Sequence, residues 1–129
     1  MRSTLGKEEK LKHRKLIELL FKEGARINTS GIQLIYLKFQ HEGEFPIKVG
    51  FSVPKRIMKL AVDRNRLKRR MREVYRKNKH LFYNNLSEQY IFMFIYTAKK
   101  ELKNFEIEAL LLKIQLKFAK KIQENEKKN

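Results

Sequence analysis

The period of apolar positions changes along the chain, and each change predicts an element. From Glu8 to Lys22, Leu11, Leu16, Leu19 and Leu20 share one face at helical spacing, and Gly24 offers a stop. Ile32 to Phe39 is dense in branched and aromatic residues and predicts a strand, followed by a turn at His41-Glu42-Gly43-Glu44. Ile47, Val49, Phe51 and Val53 then alternate with Lys48, Gly50 and Ser52, which predicts a strand with one face in the core; Pro54 closes it. Leu60 to Lys77 predicts a second helix. Tyr90 to Thr97 is apolar on both faces, as a covered central strand would be. Asn104 is placed to cap a last helix, with Glu106 and Glu108 in its first turn and Ile107, Leu111, Ile114, Phe118 and Ile122 as its buried stripe. The order is α-β-β-α-β-α, with room for a short extra strand at Arg26 to Thr29. That pattern predicts an α+β sandwich around a central, mostly antiparallel sheet. Residues 1–129 read as a single domain without repeat or linker, with flexible ends at about 1–7 and 121–129.

Composition adds a partner to this picture. The 129 residues hold 31 Lys or Arg against 14 Asp or Glu, a formal net charge of +17. Self-repulsion on that scale in a compact domain is relieved by a polyanion, and nucleic acid leads an anionic membrane surface as the candidate. The excess is focused. Lys55 to Lys79 contains twelve basic residues and two acids (Asp63, Glu73), whereas Ile27 to Pro54 contains two of each. Such focusing is the footprint of phosphate binding. Cysteine is absent, which excludes disulfides, thiol catalysis and cysteine-bearing zinc sites and fits a reducing compartment. The longest apolar run is strand-sized and the N-terminus lacks a signal core, so a cytoplasmic chain with no membrane partner is expected.

Wound at about 100° per residue, the second helix gathers Leu67, Met71, Val74 and Tyr75 on one face and Asn65, Arg66, Arg69, Arg72 and Arg76 on the other. Lys68 and Arg70 flank them, and Arg64 lies nearer the apolar edge. Arg66/Arg69, Arg66/Arg70, Arg69/Arg72 and Arg72/Arg76 are like-charged neighbours that repel by a few tenths of a kcal/mol each, with Glu73 as the expected relief. The planar guanidinium suits phosphate oxygens and base edges, so this face is read as a nucleic-acid-binding surface.

Gly50-Phe51-Ser52-Val53-Pro54-Lys55-Arg56, followed by Ala61-Val62-Asp63-Arg64-Asn65-Arg66-Leu67-Lys68-Arg69 and Arg72-Glu73, resembles the bacterial ribonuclease P protein subunit, and the resemblance covers nearly the whole chain. It implies a ribosomal-protein-like domain with a left-handed βαβ crossover, against the general right-handed rule. It also implies an accessory subunit of the ribonucleoprotein that removes the 5′ leader from precursor tRNA. The ribonuclease P RNA then performs phosphodiester hydrolysis with its own Mg2+, and the protein alone holds no cofactor or metal. Carried onto this chain, Arg64, Asn65, Arg66, Lys68 and Arg69 match the RNA-binding motif, joined on the same surface by Lys55, Arg56, Arg70, Arg72 and Arg76. A leader cleft between the first helix and the sheet would use Phe21, Tyr36, Ser52 and Lys55, with Lys48 beside them. Ile17 stands where the family often has another cleft aromatic, and Met58-Lys59-Leu60 replaces a frequent Gly-Asn-type turn.

Independent catalysis finds little support. Asp63 and Glu73 are too far apart to pair on one helical turn for a metal, and no spacing links His13, His41 and His80 as an acid-base pair. There is no phosphate-cradling Gly-x-x-x-x-Gly-Lys loop. The alternatives are a ribosome-associated module binding structured RNA and, behind it, a DNA-reading helix.

Overall fold

A computed structural model describes residues 9–41, 43–84 and 86–127. Its elements run α1 (Arg14–Glu23), β1 (Ala25–Asn28), β2 (Ile32–Lys38), β3 (Ile47–Ser52), α2 (Ala61–Tyr83), β4 (Tyr90–Tyr96) and α3 (Asn104–Lys127). The four strands form one sheet in the order β1-β2-β4-β3. β1 and β2 are antiparallel, as are β2 and β4, while β3 and β4 run parallel and are joined through α2. The optional short strand of the sequence is β1.

β4 takes a central position because nothing in Tyr-Ile-Phe-Met-Phe-Ile-Tyr tolerates water on either side, and all seven residues are buried. Its alternate side chains divide the core in two. Phe92 and Phe94 join Leu34, Tyr36 and Val49 under α2 and α3, which add Leu67, Met71, Tyr75, Ile107, Ile114 and Phe118. Ile91, Met93 and Ile95 turn the other way and meet Ile35, Leu11 and Leu20, with Leu16 and Ile17 of α1 packed alongside. α1 is stopped at Gly24, where a Cβ would lie 2.5 Å from the Leu20 carbonyl oxygen and 2.7 Å from Ile35 Cγ2.

The first helix is shorter than its periodicity suggests. It starts at Arg14, and Leu11 donates its N–H to the Val49 carbonyl at 2.9 Å, while Lys10 forms a parallel bridge to the same residue. Glu8 lies outside the described residues. The cause is Glu9, which is 1% exposed and accepts from Lys79 Nζ at 2.9 Å on both carboxylate oxygens and from the Tyr83 hydroxyl at 3.2 Å. A carboxylate buried to that extent needs its partners, and they lie on α2, so this stretch is drawn along the β3 edge instead of winding into α1.

The other helices also depart from expectation at their ends. α2 continues to Tyr83, seating the buried Phe82. In α3, Lys103 takes the capping position: its carbonyl accepts from the Ile107 N–H, and its own N–H donates to Glu106 Oε1 at 3.2 Å, leaving Asn104 as the first helical residue. α3 extends through 121–127; the stretch 1–7, and residues 128 and 129, lie outside the described residues.

Two expectations follow from this core. Glu9→Ala removes the carboxylate that Lys79 and Tyr83 both address in a nearly closed site and costs about 3 kcal/mol in a denaturant titration, with Glu9→Gln losing less because it retains acceptor and shape. Burial also pushes the phenols of Tyr75, Tyr83, Tyr96 and Tyr36 above their ordinary value of 10.0, so the folded state favours the neutral forms. That stabilisation is complete below pH of about 10 and is lost as pH rises toward the folded values. Tyrosinate absorbance and helical circular dichroism therefore change together in an alkaline titration, and phenols titrating normally in a chain that stays folded would contradict it.

Candidate nucleic-acid interface

α2 is held by a seam of Leu67, Met71, Val74, Tyr75 and Phe82, all buried against the sheet and α3. With that side fixed, Asn65, Arg69 and Arg72 stand exposed on the other, and Lys68 is half-buried at the flank. The Arg72 guanidinium carbon lies 5.9 Å from the centroid of the Phe51 ring, which steadies its stem while its donors face outward. Before α2, Pro54 accepts from the N–H groups of Ile57 and Met58 and tightens a loop that carries the exposed Lys55 and Arg56.

The remaining arginines are partly committed within the chain. Arg64 Nη1 donates to the carbonyls of Met58 at 3.0 Å and Lys59 at 2.7 Å, clamping this loop to the first turn of α2. Arg66 donates from Nε to Glu101 at 2.7 Å and from Nη2 to Asp63 at 2.7 Å. Arg70 Nη1 reaches the Leu102 carbonyl at 2.9 Å and Glu101 at 3.2 Å, and Arg76 pairs with Glu73. The outward row of Asn65, Arg66, Arg69, Arg72 and Arg76 expected from the helical wheel is therefore divided, because mutually repelling neighbours recruit whatever carboxylates are near. Glu73 has help from Asp63 and Glu101, and no local spacing shows the latter, 35 residues from Arg66. Arg66 holds the Glu101 carboxyl below the usual carboxylate range, and Arg76 does the same to Glu73.

On the opposite side of the sheet, the register sets Lys48, Gly50 and Ser52 beside Ile91, Met93 and Ile95, the side covered by α1. A Cβ at Gly50 would come within 2.8 Å of Met93 Cε, so glycine keeps this strip flat. Ile17 packs partly buried in the α1 cluster, Phe21 is 41% exposed on α1, and Lys55 follows Ser52 in the exposed loop. Tyr36 is not in this groove. It pairs with Phe92 across the sheet, and its ring packs edge-on against Phe118 at 5.1 Å, on the α3 side. The side chains that β2 gives the groove are Gln33, Ile35 and Leu37. Beside them Arg26 Nη1 donates to Gln33 Oε1 at 2.9 Å, and Gln33 Nε2 donates to Asn28 Oδ1. The alternation of Arg26 and Asn28 around buried Ile27 carries the signal for this polar ladder, which the motif-based reading passes over.

Among the described residues, no three His, Cys, Asp or Glu side chains are grouped to hold a metal ion. His13 precedes the first residue of α1 without a side-chain capping bond, His41 sits between β2 and β3, and His80 lies in the last turn of α2.

Known proteins match this arrangement along most of its length. The family described as Ribonuclease P matches residues 5–121. The ribonuclease P protein component of Porphyromonas gingivalis is 33% identical over 129 residues, covering 97% of this chain and 93% of that protein. The component from Chlorobaculum tepidum is 30% identical over 109 residues, covering 77% and 71%. Among solved structures, the RNase P protein of Staphylococcus aureus superposes with a TM-score of 0.66 at 22% identity, covering 87% of this chain and 95% of that one. That from Thermotoga maritima gives 0.66 at 24%, covering 83% and 94%. The matched span begins ahead of α1, takes in the whole basic helix and ends in α3, and on that ground the chain belongs to the ribonuclease P protein family.

Proposed function

We propose that this chain binds the ribonuclease P RNA through Asn65, Lys68, Arg69, Arg72, Lys55 and Arg56, and guides the 5′ leader of precursor tRNA along the groove beneath α1, acting in the cytoplasm. As a ribonuclease P protein component it is the RNA-binding accessory subunit of an endoribonuclease. The observation that carries the reading is a rigid helix with one side locked in the core and exposed arginine on the other. Arg66 and Arg70 are held by Glu101, and Arg64 by the Met58 and Lys59 carbonyls, which fixes the backbone that presents the exposed residues. Magnesium held by the RNA supplies the hydrolytic chemistry. The protein's part is positional: it neutralises phosphates on two RNAs and so lowers the metal concentration at which they stay together. In the groove, Lys48 meets a leader phosphate while Gly50 and Ser52 leave room for the strand. Among the described residues no helix is long and apolar enough to cross a membrane.

The reading is tested by adding the protein to its cognate ribonuclease P RNA at low magnesium and following leader removal; absence of stimulation overturns it. In the same system, Arg69→Ala and Arg72→Ala each reduce the slope of log affinity against log salt by about 1 and raise the magnesium needed for cleavage. An unchanged slope removes that arginine from the contact.

The groove makes a separate expectation. Lys48→Ala weakens precursor binding relative to mature tRNA by about fivefold, or ~1 kcal/mol. Tyr36→Ala costs roughly 3 kcal/mol of stability and leaves that preference intact, because its ring belongs to the core under α3. A lost preference in folded Tyr36→Ala protein would return this residue to the leader path.

A further inference from the structure

The start of α3 carries a feature that RNA binding by α2 does not use. Between the β1–β2 turn and the first turns of α3 lies an open hollow of about 670 Å³, floored by Gly31, Ala98, Leu102 and Leu110. At its lip Phe105 is 70% exposed, a large aromatic ring with no ring contact among the described residues. Lys99 and Lys100 line the same opening. The acid at the rim, Glu106, is engaged by the Lys103 N–H at 3.2 Å and lies 3.9 Å from Lys100 Nζ. The hollow also adjoins the arginine surface directly: Glu101, next to Lys100, is the residue that binds Arg66 and Arg70, and Leu102 of the floor gives its carbonyl to Arg70.

We propose that this hollow takes one unpaired nucleotide of the RNA partner, its base stacked on Phe105 over the apolar floor and its phosphate between Lys99 and Lys100. The inference rests on the RNA-binding reading and extends it by a second site of a different kind. α2 offers charge alone, which suits a paired helix backbone. The hollow offers an aromatic face and a dry floor beside two ammonium groups, the combination that holds single-stranded bases irrespective of sequence. A second copy of the chain fits less well, because a chain of net charge +17 that presents Lys99 and Lys100 here repels itself.

The test measures affinity of the full chain for its cognate ribonuclease P RNA across a salt series. Phe105→Ala loses roughly tenfold in affinity with no change in salt slope, since the residue is uncharged, and Phe105→Trp retains wild-type affinity. Lys99→Ala and Lys100→Ala each lower the slope by about 1. Since the chain has no cysteine, Lys100→Cys carries a single photo-crosslinker, and it joins one short unpaired RNA segment. Wild-type affinity in Phe105→Ala, or crosslinks scattered over paired regions, overturns the proposal; if Arg69→Ala still weakens binding there, the α2 reading stands without it. Failure of the wild-type chain to bind the RNA at all removes both. A wild-type dimer in sedimentation that Phe105→Ala abolishes assigns the hollow to a second copy and overturns the nucleotide.

Discussion

Like charge has to be held against its own repulsion before a surface can offer it to another molecule. α2 carries nine Lys or Arg and two acids in 23 residues, and an isolated helix of that composition would not persist in water. What holds it is burial. Leu67, Met71, Val74, Tyr75 and Phe82 lock one side into the aromatic core around Phe92, Phe94 and Phe118, and the penalty of crowding arginines is set against that apolar gain. The crowding is then trimmed by carboxylates at the edges, Asp63 and Glu101 for Arg66 and Glu73 for Arg76. Exposed ion pairs of this type add little stability. Their contribution is geometric, because they fix which arginines are paired within the chain and leave Arg69 and Arg72 clear.

The central strand extends the same logic to the whole molecule. With both faces of β4 apolar, one side of the sheet receives α2 and α3 and the other receives α1, and two different surfaces result from a single strand. The α2 surface is convex and charged. The α1 side is narrow, with a small polar strip of Lys48, Gly50 and Ser52 next to Ile91, Met93 and Ile95.

Much of this architecture was legible in the sequence because its signals are local: the period-two pattern from Ile47 to Val53, the unbroken apolar run of β4, and the apolar seam of α2 each depend on neighbours a few residues apart. What was not legible depends on partners far away. Ile32 to Leu37 is apolar on both faces except for Gln33, so parity alone does not say which side receives Tyr36; the register against Phe92 and the arrival of Phe118 decide it. Glu9 reads as an ordinary charged residue of a helical turn until Lys79 and Tyr83 are brought to it across 70 and 74 residues. Arg66 reads as unpaired until Glu101 is found beside it. The basic helix was thus legible along the chain, while the partners of each of its side chains required the fold.

The position of β4 has a consequence for how the chain is made. This strand lies between β2 and β3 in space but leaves the ribosome after both of them, ahead of α3. Until residue 96 has emerged, β3 has no neighbour in the sheet, α2 has no floor, and most of the positive charge of the molecule is attached to an unassembled nascent chain. The sheet therefore closes late, within reach of the abundant RNA of the ribosome that is making it, while the nascent basic residues still lack their folded arrangement.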